Sequence, residues 1–195
     1  MRQFLILFDE IPIDKAKVKS GRNSSEVVTA CRCVNVGLFV SGNLRRDVIV
    51  SIAKGSIDDI RIVSFLGESL KRVSPDERSI SFFLLKSLNI AENLPQSSQQ
   101  ILDNGIIVTR NCFAGFISGY EPDLVFIVRG GNESILDSTF LHDDVIFIYD
   151  TRTNKDLAGS ESMKMGDVKA YYIRPYPLHP ERFILDINDL LDNAK

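Results

Sequence analysis

The sequence has few cysteines and no long apolar segment. Only three of its 195 residues are cysteines, too few for the disulfide framework of a small secreted domain. It contains no window of about 18 uninterrupted apolar residues, and the apolar run near Met1 is too short for a signal peptide. We therefore predict a cytoplasmic protein with no membrane-spanning segment.

The sequence also lacks an excess of basic charge. Its 23 lysines and arginines face 26 acidic residues, so any surface for a nucleic acid must be a local cluster. It has no G-x-G-x-x-G motif, no P-loop and no serine-histidine-acid pattern, which leaves dehydrogenases, kinases and hydrolases without support. His142 and His179 have no partners spaced for a metal site, so we predict no bound metal.

What is present is the composition of a globular protein. With 44% hydrophobic and 25% charged residues, the chain can bury a core as a single domain over residues 1–195. Apolar runs alternate with segments of helical periodicity, which predicts an α/β domain with a largely parallel sheet. The nearly continuous apolar runs at 124–128 and 145–149 are typical of central strands covered on both faces.

The periodicity also predicts where the elements lie. Strands are predicted at residues 3–8, 47–53, 60–66, 105–110, 124–128, 145–149 and 168–173. Helices are predicted from Ser24 or Ser25 to about 41, and at 75–90, 113–120 and 180–191. Residues 14–25 are predicted to be a basic loop, and residues 92–100 a polar loop.

A Ser-Pro-Asp-Glu-Arg segment predicts a helix start. Ser74 suits the N-cap and Pro75 the first helical position, while Glu77 falls where a carboxylate completes a capping box. This structural interpretation does not explain why Arg72 and Arg78 crowd the same helix end.

Three loops follow the apolar runs at their carboxyl ends, where ligands bind in an open α/β sheet. Their candidate ligand-binding residues are Val128, Gly130 and Gly131 in the first, Tyr149 and Asp150 in the second, and Tyr172, Ile173, Arg174, Pro175 and Leu178 in the third. The glycines allow a ligand to approach the backbone closely. Ordinary turns are the alternative interpretation.

Three motifs recur in the same order in one known family. They are Cys31-Arg32-Cys33-Val34, Arg45-Arg46-Asp47-Val48 and Ser74-Pro75-Asp76-Glu77-Arg78. Their combination is specific, whereas each alone is weak. The sequence resembles the archaeal TrmY family of SPOUT-class methyltransferases, closely over residues 27–90 and weakly elsewhere. The resemblance implies transfer of a methyl group from S-adenosylmethionine to N1 of a pseudouridine, number 54, in tRNA.

The resemblance also implies a fold. SPOUT proteins have helices on both faces of the sheet and a deep C-terminal trefoil knot, a rare exception to unknotted chains. The three loops would form the cofactor pocket, and the positions that match the family pattern are Asp150, Pro175, Leu178 and His179. Tyr149 and Phe183 replace a smaller glycine and cysteine, so we expect them to border the pocket and weaken cofactor binding.

In such an enzyme the arginines at element ends would bind RNA if those ends converge. The candidates are Arg22, Arg45, Arg46, Arg72 and Arg78. Among the candidate catalytic residues Arg46, Asp47 and Asp76, the two acids could orient a base N–H or take its proton. A solvated or ion-paired role for Arg46 and Asp47 is the alternative.

The resemblance further implies a homodimer. The apolar stripe of the C-terminal helix, Phe183, Ile187, Leu190 and Leu191, is expected to pack against its twin. Two other functions stay open: an RNA-binding homologue without catalysis, and a small-molecule-binding α/β protein.

Overall fold

The structure is a computed structural model that describes residues 1–120, 124–128, 144–152, 169–173 and 179–193. The strands are β1 (Arg2–Phe8), β2 (Phe39–Val40), β3 (Asn43–Leu44), β4 (Val48–Ser56), β5 (Asp59–Leu66), β6 (Ser98–Ile101), β7 (Ile106–Asn111), β8 (Leu124–Val128), β9 (Val145–Asp150) and β10 (Lys169–Ile173). The helices are α1 (Lys15–Ser20), α2 (Ser25–Leu38), α3 (Glu77–Asn93), α4 (Phe113–Tyr120) and α5 (Pro180–Asn193).

Eight strands form one sheet in the order β10-β8-β9-β1-β4-β5-β7-β6. Each pair from β10 to β4 is parallel, and each pair from β4 to β6 is antiparallel. The short strands β2 and β3 form a separate hairpin. The largely parallel sheet is thus confirmed. The trefoil knot depends on segments outside the described residues and stays a prediction.

Strand β1 shows why the apolar runs became central strands. All seven of its residues are buried. Phe4, Ile6 and Phe8 face one core, while Leu5 and Leu7 face the other, as the alternation of a strand requires. A strand covered on both faces is mostly apolar, and the two polar residues of β1, Arg2 and Gln3, are buried with hydrogen-bond partners.

The two cores carry helices on opposite faces of the sheet. Helices α2, α3 and α5 supply apolar residues to the larger core, and α4 supplies them to the smaller one. Helix α1 packs against α3. The predicted covering of both faces is therefore confirmed.

Helix α3 begins at Glu77, and the predicted capping box with Ser74 at the N-cap is wrong. Asp76 is the N-cap instead, and its carboxylate accepts a bond from a first-turn N–H at 2.8 Å. Aspartate is as good an N-cap as serine. The carbonyl of Pro75 accepts a bond of 2.6 Å from the Asn35 side chain on α2, and this tertiary contact holds Pro75 outside the helix.

The predicted basic loop at 14–25 contains a short helix, α1. Asp14 is its N-cap and accepts a hydrogen bond of 2.9 Å from the Lys17 N–H. Gly21 ends the helix with a φ of 67°, a left-handed conformation that glycine adopts at little cost. The segment was predicted to be a loop because it is rich in lysine, although Asp14 and Gly21 are residues that commonly cap a helix.

Three other boundaries differ from the prediction. Helix α2 starts at Ser25 as predicted but ends at Leu38, because the chain then turns into the β2–β3 hairpin. Strands β4 and β5 stay paired out to Ser56 and Asp59, which reduces the predicted loop to a tight turn. The polar segment at 92–100 runs into β6 from Ser98, an edge strand too polar for the apolar pattern to reveal.

Candidate functional site

The candidate residues lie at two opposite edges of the sheet. Arg46 and Asp47 directly precede β4, at the edge where the parallel strands begin, here called the amino edge. Asp150 ends β9 at the other edge, here called the carboxyl edge. Asp150 pairs with Leu7 of β1, and Leu7 pairs with Ala53 of β4. At roughly 3.3 Å per residue, about 20 Å of strand therefore separates Asp47 from the level of Asp150.

Arg46 is exposed and held by the loop that follows β5. Its Nη1 donates to the carbonyl oxygens of Gly67 and Glu68, both at 3.1 Å. Its Nε and Nη2 make no hydrogen bond or ion pair with the residues that the structure describes. The guanidinium is thus oriented by one nitrogen, while the rest of its planar fork suits a phosphate.

Arg45 has a different environment from its neighbour. Its Nε lies 3.0 Å from a carboxylate oxygen of Asp192, and its Nη1 donates to the carbonyl of Val36 at 3.2 Å. Only 15% of its side chain is exposed. These contacts link α5 to the end of α2, so a structural role accounts for Arg45.

Asp47 lies beside a buried arginine. The Nη2 of Arg2, a residue only 6% exposed, is 3.4 Å from the Asp47 carboxylate and also bonds Asp192. Burial alone would raise the pKa of Asp192, but the hydrogen bonds from Arg2 and Arg45 lower it overall. The Asp47 carboxylate therefore lies near a positive charge whose side chain is buried and held in place.

The start of α3 is held at the same edge by α2 and the segment before it. The Asn35 side chain bonds the carbonyl of Pro75, and the Asn23 side chain donates to a Glu77 carboxylate oxygen at 2.7 Å. Arg22 directly precedes Asn23 and is exposed. Arg22 and the Ser-Pro-Asp-Glu-Arg segment are therefore brought together, as the convergence hypothesis requires.

Arg72 and Arg78 are exposed on either side of the α3 start. Neither forms an ion pair with the residues described here. Arg72 has a φ of 62°, a left-handed conformation unusual for a residue with a side chain. Its side chain lines a groove of about 390 Å³ between α3 and β6, together with Phe83 and Lys86. Such backbone strain is typical of functional sites.

The cysteines of the first motif are packing residues. Burial, followed by the nearby charges of Glu77 and Asp76, raises the pKa of the Cys31 thiol to about 12. Burial also raises the pKa of Cys33 well above its ordinary value. Both thiols are therefore neutral at physiological pH. Within the described ranges, no group of three or more histidine, cysteine or acidic side chains is placed to hold a metal ion.

At the carboxyl edge, three strand ends lie side by side. Val128 of β8 pairs with both Tyr149 of β9 and Ile173 of β10, and Tyr172 immediately precedes Ile173. Main-chain N–H and C=O groups at adjacent strand ends suit a flat polar ligand such as adenine. The other predicted pocket residues, Gly130, Gly131, Arg174, Pro175 and Leu178, lie outside the described residues.

Tyr149 and Phe183 lie in the core. Tyr149 is 7% exposed and Phe183 is 3% exposed, and their ring centroids are 5.7 Å apart. Phe183 also makes edge contacts with Phe4 and Phe147. Burial raises the pKa of the Tyr149 hydroxyl. The volume of both rings fills the space between the sheet and α5.

Asp150 forms an ion pair that the sequence did not reveal. Arg152 bonds the Asp150 carboxylate through Nε at 2.8 Å and Nη2 at 3.0 Å, and both side chains are only 7% exposed. Thr151 between them bonds the Leu7 carbonyl through its N–H and its hydroxyl. The pair fixes the direction of the chain as it leaves β9. An Asp-x-Arg spacing after a strand was the available signal.

No helix in the described part of the chain has the length and apolar character needed to cross a membrane.

The fold is similar to that of a solved structure. Over 99% of this chain and 98% of the other, the structure is similar to Nep1 of Archaeoglobus fulgidus, crystallised with S-adenosylhomocysteine, with a TM-score of 0.58. Because the two sequences are 10% identical, this likeness shows the fold alone.

Sequence comparisons then give the family. The sequence model of the family described as "Putative SAM-dependent RNA methyltransferase" matches residues 1–195. The chain is 30% identical over 178 residues to a protein of Methanococcus maripaludis strain C6, covering 89% of this chain and 88% of that protein. It is 29% identical over 182 residues to one of Methanococcus vannielii, with the same coverage. Both are named tRNA (pseudouridine(54)-N(1))-methyltransferase.

The chain belongs to this family of S-adenosylmethionine-dependent RNA methyltransferases. The resemblance predicted from the three motifs is therefore confirmed, and so is the predicted cofactor.

Proposed function

We propose that the protein transfers a methyl group from S-adenosylmethionine to N1 of pseudouridine 54 in tRNA, in the cytoplasm. The relatives named for this reaction support the substrate. The observation that carries the proposal is the amino edge, where Arg46 bonds the loop that leads to α3 and Asp47 lies beside Arg2. This edge offers cations for phosphate and an acid for a base N–H.

The carboxyl edge fits the cofactor through its backbone. The ends of β8, β9 and β10 lie together, and the aromatic side chains of Tyr149 and Phe183 are turned into the core. Val128, Tyr172 and Ile173 would hold the adenine with main-chain groups, and the predicted loop residues would complete the pocket: Gly130, Gly131, Arg174, Pro175 and Leu178. When bound, the cofactor supplies a methyl group on a positively charged sulfur for an in-line transfer.

Asp47 is the better candidate for the acid than Asp76. The Asp76 carboxylate accepts the Ser79 N–H at 2.8 Å as the N-cap of α3, so it already has a structural role. Asp47 is 47% exposed on its side chain and could accept a hydrogen bond from the base or take its proton. Arg46 would contact a phosphate near the target nucleotide.

The functional unit is a homodimer in this proposal. Within one chain, about 20 Å of strand separates Asp47 from the carboxyl edge. A partner whose carboxyl edge faces this amino edge would bring base and cofactor together. Helix α5 spans the distance, because Phe183 packs beside Tyr149 while Asp192 reaches Arg2.

Leu185 and Leu190 on α5 provide an apolar contact for such a dimer. They are 39% and 43% exposed, whereas Phe183 and Ile187 are buried within their own chain. Leu191 is partly buried against the same core. The predicted contact between twin helices would therefore use a narrower apolar strip than the sequence suggested.

The direct test combines cofactor titration with methyl transfer to two tRNA transcripts, one with pseudouridine and one with uridine at position 54. We expect calorimetric binding of S-adenosylmethionine and N1-methylpseudouridine in the first transcript alone, identified by mass spectrometry. Binding of tRNA without methyl transfer would indicate the non-catalytic homologue. If neither the cofactor nor tRNA binds, the small-molecule alternative is favoured.

A pair of matched variants tests the assignment of the acid. We expect Asp47→Asn to lower kcat by about a hundredfold to ten-thousandfold, the usual contribution of a general acid or base. Asp76→Asn should change kcat little and keep the protein folded, because asparagine caps a helix as well as aspartate does. Equal losses in both variants would contradict the assignment.

A further inference from the structure

The exposed face of α3 carries an aromatic ring between two cations. Arg78, Phe82 and Lys86 follow one another at four-residue spacing, so their side chains form a row with about 6 Å between neighbours along the helix. Phe82 is 53% exposed. It is the only aromatic residue among the large hydrophobic side chains exposed on the described part of the chain.

Packing does not account for Phe82. Helix α3 buries its opposite face through Ile80, Leu84 and Leu88, all part of the larger core. Phe82 touches the neighbouring Phe83 edge to face, with ring centroids 5.2 Å apart and an interplanar angle of 79°. This contact orients the Phe82 ring and still leaves half of it in solvent.

Among the described residues, neither of the two flanking cations forms an ion pair. Arg78 and Lys86 are exposed and have no acidic partner among the described residues. By contrast, Arg61 and Arg110, which brace the sheet, both bond Asp59. The row is therefore a local positive surface on a protein with a net charge of −3.

A groove continues this surface toward β6, the last strand of the sheet. Arg72, Phe83 and Lys86 line a space of about 390 Å³ that Gln100 and Asn104 close on the side of β6 and β7. A single acid, Asp103, also lines it. Three aliphatic residues, Ile90, Ile101 and Leu102, complete the lining. Beside this apolar surface, the two cations, the aromatic ring and the amide side chains are groups that hold a nucleotide.

We propose that Arg78, Phe82 and Lys86 form a stacking platform for an unpaired base of the bound tRNA. The base would stack on the Phe82 ring, and the two cations would contact phosphates on either side of it. This inference rests on the proposed function, because it extends the RNA interface from the amino edge along α3. Lysine is depleted in protein interfaces, whereas Arg78 and Lys86 on either side of an aromatic ring suit a nucleotide and its phosphates, so RNA fits the surface better than a protein partner.

The test measures tRNA affinity for three substitutions of one residue. Phe82→Ala is expected to weaken binding about fivefold to a hundredfold without changing the salt dependence, since a stacking contact is lost and no phosphate contact. Phe82→Tyr should bind like the parent protein, because it keeps an aromatic ring. Phe82→Leu should behave like Phe82→Ala, because it keeps apolar surface but not the ring. Unfolding by urea should be nearly unchanged in all three.

A charge variant and a photocrosslink complete the experiment. Lys86→Gln should reduce the slope of log affinity against log salt by about one unit. A tRNA with 5-iodouridine at unpaired T-arm positions should crosslink to Phe82, identified by mass spectrometry. Absence of the crosslink, together with normal binding by Phe82→Ala, would overturn the platform.

The outcomes separate this inference from the proposed function. If the parent protein binds no tRNA, both fail. If Arg46→Ala weakens binding while Phe82→Ala does not, only the platform is overturned. If Phe82→Leu binds like the parent, or Phe82→Ala lowers the mass of the assembly in sedimentation, the face is a protein contact and the platform is wrong.

Discussion

At the scale of single residues, two adjacent arginines serve different purposes. Arg45 points to Asp192 and Val36, whereas Arg46 is exposed and bonds only the carbonyls of the loop after β5. Arg45 is held inside the fold by its contacts with α5 and α2, whereas Arg46 lies in the turn that precedes β4 and faces outward. The motif Arg-Arg-Asp thus combines a structural residue with a candidate ligand.

This difference predicts opposite effects of two alanine substitutions. We expect Arg46→Ala to weaken tRNA binding and reduce its salt slope by about one unit, with the free energy of unfolding unchanged. Arg45→Ala should instead lower the free energy of unfolding by about 1–3 kcal/mol, since a mostly buried ion pair is lost, and should leave the salt slope as it was. Urea denaturation and tRNA binding at several salt concentrations measure these effects. A less stable Arg46→Ala variant with an unchanged salt slope, or a stable Arg45→Ala variant with a reduced slope, would contradict the assignment.

Tyr149 gives a second prediction at this scale. Replacing it with glycine removes a buried ring that contacts Phe183, so we expect a loss of about 3–5 kcal/mol in unfolding free energy. Tyr149→Phe keeps the ring and should cost far less. The sequence led us to expect that Tyr149 borders the cofactor pocket and weakens binding. Calorimetry with S-adenosylmethionine tests this, because tighter binding by a folded Tyr149→Gly variant would mean that the ring limits the space for the cofactor.

At the scale of elements, α5 is anchored to the start of the sheet by charge. Asp192 bonds Arg2, which is 6% exposed, and Arg45, which is 15% exposed. Arg2 otherwise has only the Asp47 carboxylate, at 3.4 Å, as an ion-pair partner among the described residues. The first strand and the last described helix are thereby joined across the length of the chain.

We expect Asp192→Asn to reduce the free energy of unfolding by about 1–3 kcal/mol at pH 7. This is less than the loss for a fully buried pair, because Asp192 is 39% exposed and water screens it. The pKa of Asp192 is lowered in the folded protein, so its contribution is complete above the unfolded value of about 4 and is lost as pH falls through the folded value. Denaturation curves at pH 7 and pH 2.5 should show the difference between variant and parent shrinking. A difference that grows at low pH would contradict this.

At the scale of the whole molecule, the sheet separates the two halves of the candidate site. The strands β8, β9 and β10, after which the cofactor loops are predicted, end at the carboxyl edge, and the Arg-Arg-Asp motif lies at the amino edge, directly before β4. We propose that residues 1–195 form a single domain, because β1, from the start of the chain, lies between β4 and β9 in one sheet. A dimer would then be the natural way to complete the site.

Subunit mixing tests this arrangement. Gly131→Phe should abolish cofactor binding and Asp47→Asn should abolish transfer, so each variant alone is inactive. After denaturation and joint refolding, about half of the dimers would contain one of each variant and about a quarter of the sites would be intact. We therefore expect about a quarter of the parent activity. A mixture that stays inactive, or a monomeric mass in light scattering, would exclude a shared site.

Elements with strong local patterns could be predicted from the sequence alone, and so could the family. The apolar runs predicted β1, β8, β9 and the parallel half of the sheet, and the pair Ser24-Ser25 predicted the start of α2. Periodicity and capping are properties of neighbouring residues, so they can be recognised along the chain. The three motifs gave the family because order and spacing are also visible in one dimension.

The contacts and burial of the candidate site residues could not be predicted from local sequence. Helix α3 begins at Glu77 and not at Pro75, whose carbonyl accepts a hydrogen bond from Asn35 of α2. The roles of Arg45 and Asp192 likewise depend on a contact between distant parts of the chain. Tyr149 lies in the core, where its ring packs against Phe183 of α5, the helix that follows β10 in the chain. Direction and burial of a side chain depend on partners that are far away in sequence, and no local pattern encodes them.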